Sequence, residues 1–411
     1  MSDSLGVYVS VPFCRAKCTY CNFASGVFGA ERMDRYVEAV CAEIESVRGR
    51  VAALGVEMPG RVDTVYLGGG TPSLLSAEQM LRLFAALRDE FEMKEAAEIT
   101  LECAPGQLND ETLEEMLRQG MNRVSFGVQS FVDAEARAVG RTHTREICLR
   151  EVTRMRAAGV GNINVDLIVG LPGQTEASWR ESVSVALETG VPHVSVYMLE
   201  VDEDSRLGKE ILSAGQRYGA EAVATEDEIA EWYGTACEWL EAAGVRQYEF
   251  SNFAREGSAS RHNLKYWRRE PYVGFGLDAH SMLRNGAGGV RWANGDDLDE
   301  YLRGQTPGAK RKGNDALVLL GGGGDPEVER IGKERAFEEA VFLGLRMNEG
   351  VDLAALRGEF GEGLTRDAVA ALRDVEEAGL MMIEGERVRL TAKGRMASNE
   401  VFGRLLVGVA A

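Results

Sequence analysis

Short apolar runs alternate with longer amphipathic stretches between residue 5 and about residue 245. The apolar runs are rich in β-branched and aromatic residues and begin near positions 7, 62, 98, 123, 162 and 193. In the stretches between them, such as 33–47, 76–91 and 144–159, apolar residues recur at the spacing of one helix face. The pattern therefore predicts six successive units, each a strand followed by a helix.

The predicted strands are apolar throughout, which is typical of a parallel sheet covered by helices on both faces. The sequence thus predicts an α/β fold, a partial barrel of six such units, (β/α)6. In barrels of this kind the chemistry lies on the loops that leave the carboxyl ends of the strands. Five of these loops contain Gly, Pro, Cys or polar residues, in the segments PFCRAKCTYCNF, GGGTPS, CAPG, GVQSF and GLPGQT. The simplest explanation for these residues at five strand ends is that all five loops contact one ligand.

The pattern changes after residue 245, where aromatic and basic residues predominate. We interpret about 245–303 as an extension of a core that spans 1–303. Residues 304–330 are rich in glycine and have no sustained period, which indicates a linker or an insertion. Helical patterns resume in 331–411, and the alternating segment GLMMIEGERVRLTAKG predicts a β-hairpin there. A small C-terminal helical domain of winged-helix-like type fits this order. We expect it to cover the barrel mouth or to meet a partner, and structural packing alone is the alternative.

The length of the chain indicates its number of domains, and its charge limits the kinds of partner it can bind. The 411 residues exceed one compact core and favour two domains. The 65 acidic residues outnumber the 46 lysines and arginines, and the net charge of −19 would repel nucleic acid and an anionic membrane surface. No apolar run approaches the roughly 20 residues of a membrane span, and the first residues do not resemble a secretory signal. We therefore expect a cytoplasmic protein with no nucleic-acid partner and no integral membrane segment.

Three of the seven cysteines, Cys14, Cys18 and Cys21, stand together after the first predicted strand with the spacing C-x3-C-x2-C. The other four are scattered, as small buried residues would be: Cys41, Cys103, Cys148 and Cys237. A disulfide framework would not be distributed in this way. Closely spaced thiols in a reducing compartment indicate iron–sulfur or zinc ligation.

The choice between these metals depends on the number of ligands. A closed zinc site needs four protein ligands, and Phe23 stands where the next one would be expected. Three thiolates on a four-iron cube would instead leave one iron open. We therefore expect a [4Fe–4S] cluster at the mouth of the first strand. The alternatives are a zinc site completed by distant His143 or Cys103, and a chance group of core cysteines.

The spacing C-x3-C-x2-C after the first strand of a β/α array is similar to the signature of the radical S-adenosylmethionine (SAM) superfamily. The resemblance implies that the amino and carboxylate groups of SAM chelate the open iron. It also implies that one electron from the cluster cleaves the sulfonium to give a 5′-deoxyadenosyl radical. The segment GGGTP, which alone would indicate only a tight turn, would let backbone groups approach such a zwitterion.

The span from Tyr8 to Ser281 resembles the oxygen-independent coproporphyrinogen III oxidase group and its relatives. This resemblance implies that SAM is contacted by Tyr8, Gly69, Gly70, Thr71, Glu102, Gln129, Arg141 and Asp166. Carboxylates can accept from ribose hydroxyls or an ammonium group, and an arginine can meet a carboxylate. Two positions depart from the group, since Ala104 stands where relatives usually have Asn and Asp278 replaces a usual Gly.

Two features separate this chain from the decarboxylating oxidases of that group, which have a fourth cysteine two places after the third and a longer N-terminal arm. Here Phe23 takes that place, and only seven residues precede Tyr8. Both features point to the haem chaperone branch, which bears a haem-binding HN-x-x-YW motif. The motif is complete in this chain, as His262, Asn263, Tyr266 and Trp267.

An imidazole is a common axial ligand of haem iron, so His262 is the first candidate ligand and His280 the second. The rings of Tyr266 and Trp267 offer flat apolar faces to a porphyrin. Four nearby cations could pair with its propionates: Arg261, Lys265, Arg268 and Arg269. By composition alone, a surface segment with a capped turn and a packed Trp is the more ordinary interpretation, and the complete motif is what favours haem.

The sequence therefore predicts a haem chaperone that transfers haem to acceptor haemoproteins and carries a SAM-coordinated [4Fe–4S] cluster. Its expected cofactors are the cluster, SAM and haem, and its partners include an electron donor. One alternative is an oxygen-independent coproporphyrinogen III oxidase, which Phe23 and the short N-terminal arm disfavour. Another is a different radical SAM tailoring enzyme.

Overall fold

The computed structural model of the protein describes residues 4–304 and 328–408, with side chains as far as residue 403. Most of the predicted linker, residues 305–327, lies outside these ranges. The described residues form two large hydrophobic cores and a small third cluster of Val139, Ile168 and Leu171. The larger is built from residues between 5 and 302, and the smaller from residues between 331 and 402.

The six predicted strands are present and lie side by side in one parallel array. They are β1 (Ser4–Val11), β2 (Arg61–Gly69), β3 (Glu92–Cys103), β4 (Arg123–Gln129), β5 (Asn162–Val169) and β6 (His193–Met198). Paired residues such as Val7 and Val65, or Val165 and Val194, are fully buried. The prediction of a partial α/β barrel is confirmed.

Helices follow these strands, and most of them bury their apolar sides in the larger core. They are α1 (Ala30–Ala53), α2 (Ala77–Glu90), α3 (Asp110–Arg118), α4 (Asp133–Ala138), α5 (Arg145–Ala157), α6 (Glu176–Glu188), α7 (Arg206–Leu212) and α8 (Glu226–Ala242). Many begin at a polar cap, as at Ser76, whose hydroxyl accepts from the backbone N–H of Gln79 while the Gln79 side chain accepts from Ser76 N–H. Such caps fix where each loop on the carboxyl side of the sheet must end.

Residues 246–293, together with residues 329–331, extend the sheet at both edges. On one side β8 (Asn252–Ala254) pairs with β6, and β7 (Arg246–Gln247) pairs with β8. On the other side β1 is followed by β9 (Tyr272–Phe275), β10 (His280–Asn285), β11 (Gly288–Ala293) and β12 (Glu329–Ile331). Helix α9 (Arg261–Trp267) precedes β9, and α10 (Leu298–Gly304) follows β11. Within the described residues β12 and β7 are the two edges, so the barrel is open.

The C-terminal residues form a smaller unit of helices and a three-stranded sheet. Its elements are α11 (Lys333–Arg346), β13 (Val351–Asp352), α12 (Leu353–Phe360), α13 (Glu362–Ala371), α14 (Arg373–Glu377), β14 (Met381–Glu384), β15 (Arg387–Leu390), α15 (Ala392–Met396) and α16 (Ser398–Gly408). Strands β14 and β15 pair antiparallel around Gly385, at φ +62°, so the predicted hairpin is confirmed. The predicted helical character of this part is confirmed as well.

The C-terminal unit packs on the edge formed by β7, β8 and α9. Glu249 and Met347 form an isolated antiparallel bridge, and the N–H of Asn348 donates to the carbonyl of Tyr248 at 2.9 Å. Helix α11 therefore ends beside the barrel. Across the described ranges, the structure contains no helix with both the length and the apolar character needed to cross a membrane.

Candidate functional site

A cavity of about 650 Å³ opens at the carboxyl ends of the parallel strands. Residues from the loops that follow β1 to β5 meet on its wall, among them ten of the candidate SAM and cluster residues. These are Cys14, Cys18, Cys21, Gly69, Gly70, Thr71, Glu102, Gln129, Arg141 and Asp166. Tyr8 lies instead in an adjoining cavity of about 330 Å³, which shares Gly69 and Gly70 with the first.

Backbone hydrogen bonds hold the loop that carries the three cysteines. The N–H of Cys14 donates to the carbonyl of Gly26 at 2.8 Å, and the N–H of Thr19 donates to the carbonyl of Val139 at 3.1 Å. All three thiols are free, with Cys18 buried and the other two partly exposed. One anchored loop thus presents three unpaired sulfur atoms to the cavity.

Two polar side chains donate toward these sulfur atoms. Arg141 Nη1 lies 3.4 Å from Cys18 Sγ, and Thr71 Oγ1 lies 3.7 Å from Cys14 Sγ. Arg141 also donates through Nη2 to the carbonyl of Gly127, which fixes its guanidinium on the cavity wall. Burial raises the pKa of the Cys21 thiol, while a backbone hydrogen bond at Phe23 and the charge of Lys17 act in the opposite direction.

The arrangement of the thiols bears on the two kinds of metal site considered from the sequence. In residues 4–304 and 328–403, no three Cys, His, Asp or Glu side chains converge closely enough to hold a single metal ion. A cubic cluster is bound at separate corners, so its thiolates stand farther apart than the ligands of one zinc ion. His143, which we considered as a zinc ligand, lies with Nε2 3.1 Å from the carbonyl oxygen of Val128. Three free thiols on one loop match the ligand type of a [4Fe–4S] cluster, and the choice between a cluster and a zinc site stays a prediction.

The glycines at the end of β2 are required by close packing against the cysteine loop. A Cβ on Gly70 would lie 2.8 Å from the carbonyl oxygens of Val11 and Phe13, closer than real Cβ atoms approach backbone. Gly69 has a φ of +100°, a backbone conformation that favours glycine. These residues allow the two loops to meet, and they leave backbone groups of Gly69 and Gly70 on the walls of both cavities.

Glu102 and Asp166 place two carboxyl groups on the cavity wall. Glu102 accepts from the hydroxyl of Tyr66 at 2.8 Å and from the N–H of Gly69 at 3.2 Å. Desolvation by the surrounding protein raises the pKa of Glu102 to about 7 despite these bonds. Burial also raises the pKa of Asp166, which accepts from Asn164 Nδ2 at 2.7 Å. Poorly hydrated carboxyl groups of this kind suit an ammonium or hydroxyl donor.

Gln129 ends β4 with an unusual backbone conformation. Its φ of +69° lies in the left-handed region, which residues other than glycine seldom adopt. The pairing of β4 with β5 shifts register at the same point. This irregular strand end places Gln129 on the cavity wall, and backbone outliers of this kind cluster at functional sites.

The smaller cavity brings His280 near Tyr8 and the glycines of β2. The His280 side chain is 59 % exposed, and its Nε2 lies 4.0 Å from Asp278 Oδ1. Asp278 has a φ of +56°, which explains on physical grounds why glycine is usual at this position in the group that the sequence resembles. The ring of His280 is therefore accessible to a ligand.

His262 occupies a different environment, inside the barrel wall. Its Nδ1 lies 2.8 Å from Thr64 Oγ1, its Nε2 lies 2.8 Å from the Tyr266 hydroxyl, and its side chain lines neither cavity. Burial lowers its pKa to about 3, so the imidazole is neutral. Both ring nitrogens are thus engaged with the protein. Ligation of haem iron by His262 stays a prediction, and it requires at least one of these bonds to break.

The cations around the motif are engaged by the protein rather than facing a ligand. Lys265 is buried and its Nζ lies 2.8 Å from Asp63 and 3.1 Å from Glu270. The other three contact protein acceptors in the same way: Arg268 pairs with Glu349, Arg269 with Glu339, and Arg261 donates to the carbonyl of Ala96. Pairing of these four side chains with propionates stays a prediction, and it would require their present contacts to be exchanged. Arg268 and Arg269 join helix α9 to the C-terminal unit, whereas Lys265 and Arg261 contact residues of the larger, barrel-forming part.

The structure adds cavity residues that the sequence did not indicate. Tyr197 and Met198 follow the same strand-end rule as the predicted residues, so that rule applied to β6 would have found them. Phe250 comes from the sheet edge, and Arg346 and Arg395 come from the C-terminal unit. No local pattern links these three to the barrel, because their proximity depends on tertiary packing.

Comparison with known families gives two matches. The model of the radical SAM superfamily matches residues 8–186, and the model of the HemN C-terminal domain matches residues 332–397. The first range contains the strands and loops that build most of the larger cavity. The second covers most of the C-terminal unit.

Curated relatives match almost the whole chain. The heme chaperone HemW of Lactococcus lactis subsp. lactis is 32 % identical over 400 residues, covering 97 % of each chain. The heme chaperone HemW of Bacillus subtilis is also 32 % identical, covering 97 % of this chain and 98 % of its own. Among solved structures, coproporphyrinogen III oxidase HemN of Escherichia coli superposes with a TM-score of 0.79 at 21 % identity, covering 98 % of this chain and 90 % of its own. At that identity the structural likeness shows a shared fold.

Proposed function

The chain belongs to the radical SAM superfamily and, within it, to the family of HemW heme chaperones, and on that premise we propose that it binds haem and transfers it to acceptor haemoproteins. We propose further that its cysteine loop holds a [4Fe–4S] cluster with an open iron for SAM. The observation that supports this most directly is the meeting of three free thiols with Arg141 and Glu102 in one cavity.

The residues of this chain can supply each part of a SAM site. Three thiolates would ligate the cluster, Arg141 would meet the SAM carboxylate, and Glu102 would accept from its ammonium group. Asp166 and Gln129 would bind hydroxyl groups, and Tyr8, Gly69, Gly70 and Thr71 would line the remaining surface. When bound, the cluster and SAM supply one-electron chemistry that side chains cannot supply.

The HN-x-x-YW helix is proposed as part of the haem site. Tyr266 lines the smaller cavity with His280, whereas Trp267 lies under the guanidinium of Arg346, 4.8 Å from its carbon to the ring centre. The N–H of Asn263 bonds the hydroxyl of Ser260, which caps the helix. His280 can bind iron as the protein stands, whereas His262 can do so only after leaving Thr64 or Tyr266.

Transfer of haem is the activity to test. Anaerobically reconstituted protein would be titrated with haem, freed of excess and mixed with apo-haemoproteins from the same cell. We expect a Soret shift on binding and holo-acceptor formation that requires the chaperone. Free haem at the same concentration is the control, because acceptors also take up haem unaided.

The same preparation tests the alternative activity. With SAM, a reductant and coproporphyrinogen III, we expect no protoporphyrinogen IX. Turnover to that product, without haem transfer, would make the protein an oxidase instead. Cleavage of SAM with another product would favour a different tailoring enzyme.

We propose the cytoplasm as the compartment in which the protein acts. The seven free thiols, three of them on one accessible loop, need a reducing environment to stay unpaired. An electron donor from the same compartment would reduce the cluster.

A further inference from the structure

Two arginines of the C-terminal unit, Arg346 at the end of α11 and Arg395 in α15, line the larger cavity. The arginines around them are engaged by acids, since Arg268 pairs with Glu349 and Arg291 with Glu339. Within the part of the chain that the structure describes, neither Arg346 nor Arg395 has a carboxylate at ion-pair distance, and the Nε of Arg346 has no hydrogen-bond partner. The charges of Glu249 and Glu200 act on Arg346 only from beyond that distance. In a chain with a net charge of −19, two cations on one cavity wall with no carboxylate at ion-pair distance indicate that an anionic ligand binds there.

Arg346 is held in place by the packing around it. The Glu249–Met347 bridge and the donation from Asn348 Nδ2 to the carbonyl of Gln247, at 2.8 Å, fix the backbone beside it. Its guanidinium lies 4.6 Å from the centre of the Phe250 ring and 4.8 Å from that of Trp267. The side chain is thus positioned before any ligand arrives.

Arg395 lies at the same corner of the cavity. Its Nη1 donates to the carbonyl of Leu390 at 3.3 Å, and its charge acts on the neighbouring Tyr233. The hydroxyl of Tyr233 in turn donates to the carbonyl of Phe250, the residue on which Arg346 stacks. The two guanidinium groups therefore flank one aromatic corner, as two adjacent carboxylates of a ligand would require.

The wall beside these cations is apolar and accessible. Tyr197 is 41 % exposed, and Met198 and Met396 are each 45 % exposed, although all three line the cavity. Accessible apolar area of this size on a concave wall favours an apolar ligand, because covering it removes it from water. Together, wall and cations suit a flat apolar molecule with two acidic groups on one edge.

We propose that Arg346 and Arg395 bind the two propionate carboxylates of haem, with the macrocycle against Tyr197, Met198, Phe250 and Met396. Haem would then lie beside SAM in the larger cavity, which adjoins the smaller cavity lined by His280 and Tyr266. This inference rests on the proposed function and adds the anchoring residues of the haem. It gives the C-terminal unit a direct part in binding. It also gives Trp267 a role, which is to support the guanidinium of Arg346 that meets the propionate.

The test compares Arg346→Gln, Arg395→Gln and the double variant with wild-type protein, using Soret titration under anaerobic conditions. The ligands are haem and haem dimethyl ester, in which both propionates are neutral. We expect each substitution to weaken haem binding about tenfold and the two together about a hundredfold. The wild type should bind the ester about as weakly as the double variant binds haem, and the double variant should not distinguish the two ligands.

Arg373→Gln is the matched control, because Arg373 is an exposed arginine of the same unit that does not line the cavity. It should bind haem as the wild type does. Arg346→Lys keeps the charge and should lose no more than about threefold. Cluster absorbance and thermal unfolding check that each variant is folded. If Arg346→Gln does not fold, the comparison rests on Arg395→Gln.

The outcomes separate this inference from the function on which it rests. Wild-type protein that binds no haem would overturn both. Variants that bind haem as the wild type does, or a wild type indifferent to esterification, would overturn the inference and leave the function intact. Loss of SAM affinity with unchanged haem affinity would assign the arginines to SAM and overturn the inference as well.

Discussion

At the scale of single residues, the site depends on charges held away from water. Glu102 shows this most directly, because its carboxyl group faces a cavity and its pKa is raised to about 7. The chemistry of such a residue can be read from the sequence, since a carboxylate at a strand end suggests a ligand contact. The pKa of Glu102 cannot be read from the sequence, because it depends first on burial by the fold and then on the neighbours Tyr66, which lowers it, and Asp166, which raises it.

The affinity for SAM should therefore depend on pH near neutrality. The ionised form of Glu102 binds the ammonium group, so lowering the pH from 8 to 6 should weaken SAM binding about tenfold. His143, with a pKa lowered to about 4, stays neutral across this range. The measurement is the dissociation constant of SAM for the reconstituted protein at fixed cluster oxidation state.

Two variants give this prediction its control. Glu102→Gln should bind weakly and lose most of the pH dependence. Tyr66→Phe removes a donor that favours the ionised form, so the midpoint should move to higher pH. A Glu102→Gln protein with the full wild-type profile would assign the dependence to another group, such as Asp166.

His262 should contribute first to stability. Replacing it by Ala removes a buried ring and leaves Thr64 and Tyr266 without their partner. We expect His262→Ala to lower the free energy of unfolding by about 2–4 kcal/mol, measured by chemical denaturation. Asn263→Ala, on the same helix and half-buried, is the control and should cost less than about 1 kcal/mol. A His262→Ala protein of wild-type stability that no longer binds haem would instead identify His262 as an iron ligand.

At the scale of elements, the loops after the strands could be predicted well and helix α9 could not. The cysteine loop, the glycines of β2 and the ends of β3 to β5 were found because parallel strands bring their carboxyl ends to one edge. Helix α9 carries a motif with evident chemistry, yet its His262 faces inward and its cations meet protein acceptors. Which face a seven-residue helix buries depends on the partners that the fold places around it.

The contact between the β2 glycines and the cysteine loop should control cluster assembly. Gly70→Ala places a Cβ against the carbonyls of Val11 and Phe13, so the loop must shift. We expect its iron and sulfide content after anaerobic reconstitution to fall below about half of the wild-type content, with the barrel still folded by circular dichroism. Gly60→Ala is the control, because the other end of β2 has open space around that position. Full cluster content in Gly70→Ala would show that this close approach does not matter.

At the scale of the whole molecule, an open barrel is completed by a second unit that reaches its cavity. The order of strands, the parallel array and the C-terminal hairpin follow from hydrophobic periodicity. The packing of α11 against the sheet edge does not follow from periodicity. It depends on contacts between residues about a hundred positions apart, such as Asn348 and Gln247. Arg346 and Arg395 could be recognised as cavity residues only after the structure placed them there.

The ion pairs between α9 and the C-terminal unit should differ in their contribution to stability. Arg269 is only 3 % exposed beside Glu339, whereas Arg268 and Glu349 are 43 % and 53 % exposed. We expect Glu339→Gln to lower the free energy of unfolding by about 2–4 kcal/mol, because buried Arg269 and half-buried Arg291 both lose their nearer carboxylate. Glu349→Gln is the matched control and should cost less than about 1 kcal/mol. Equal effects in chemical denaturation would contradict this distinction.

The most direct test is electron paramagnetic resonance of anaerobically reconstituted, reduced protein before and after SAM is added, together with metal and sulfide analysis. We expect about four iron and four sulfide per chain, a cluster signal that SAM changes, and loss of both when Cys14, Cys18 and Cys21 are replaced by Ala. Stoichiometric zinc without sulfide, or a cluster signal indifferent to SAM, would contradict the account.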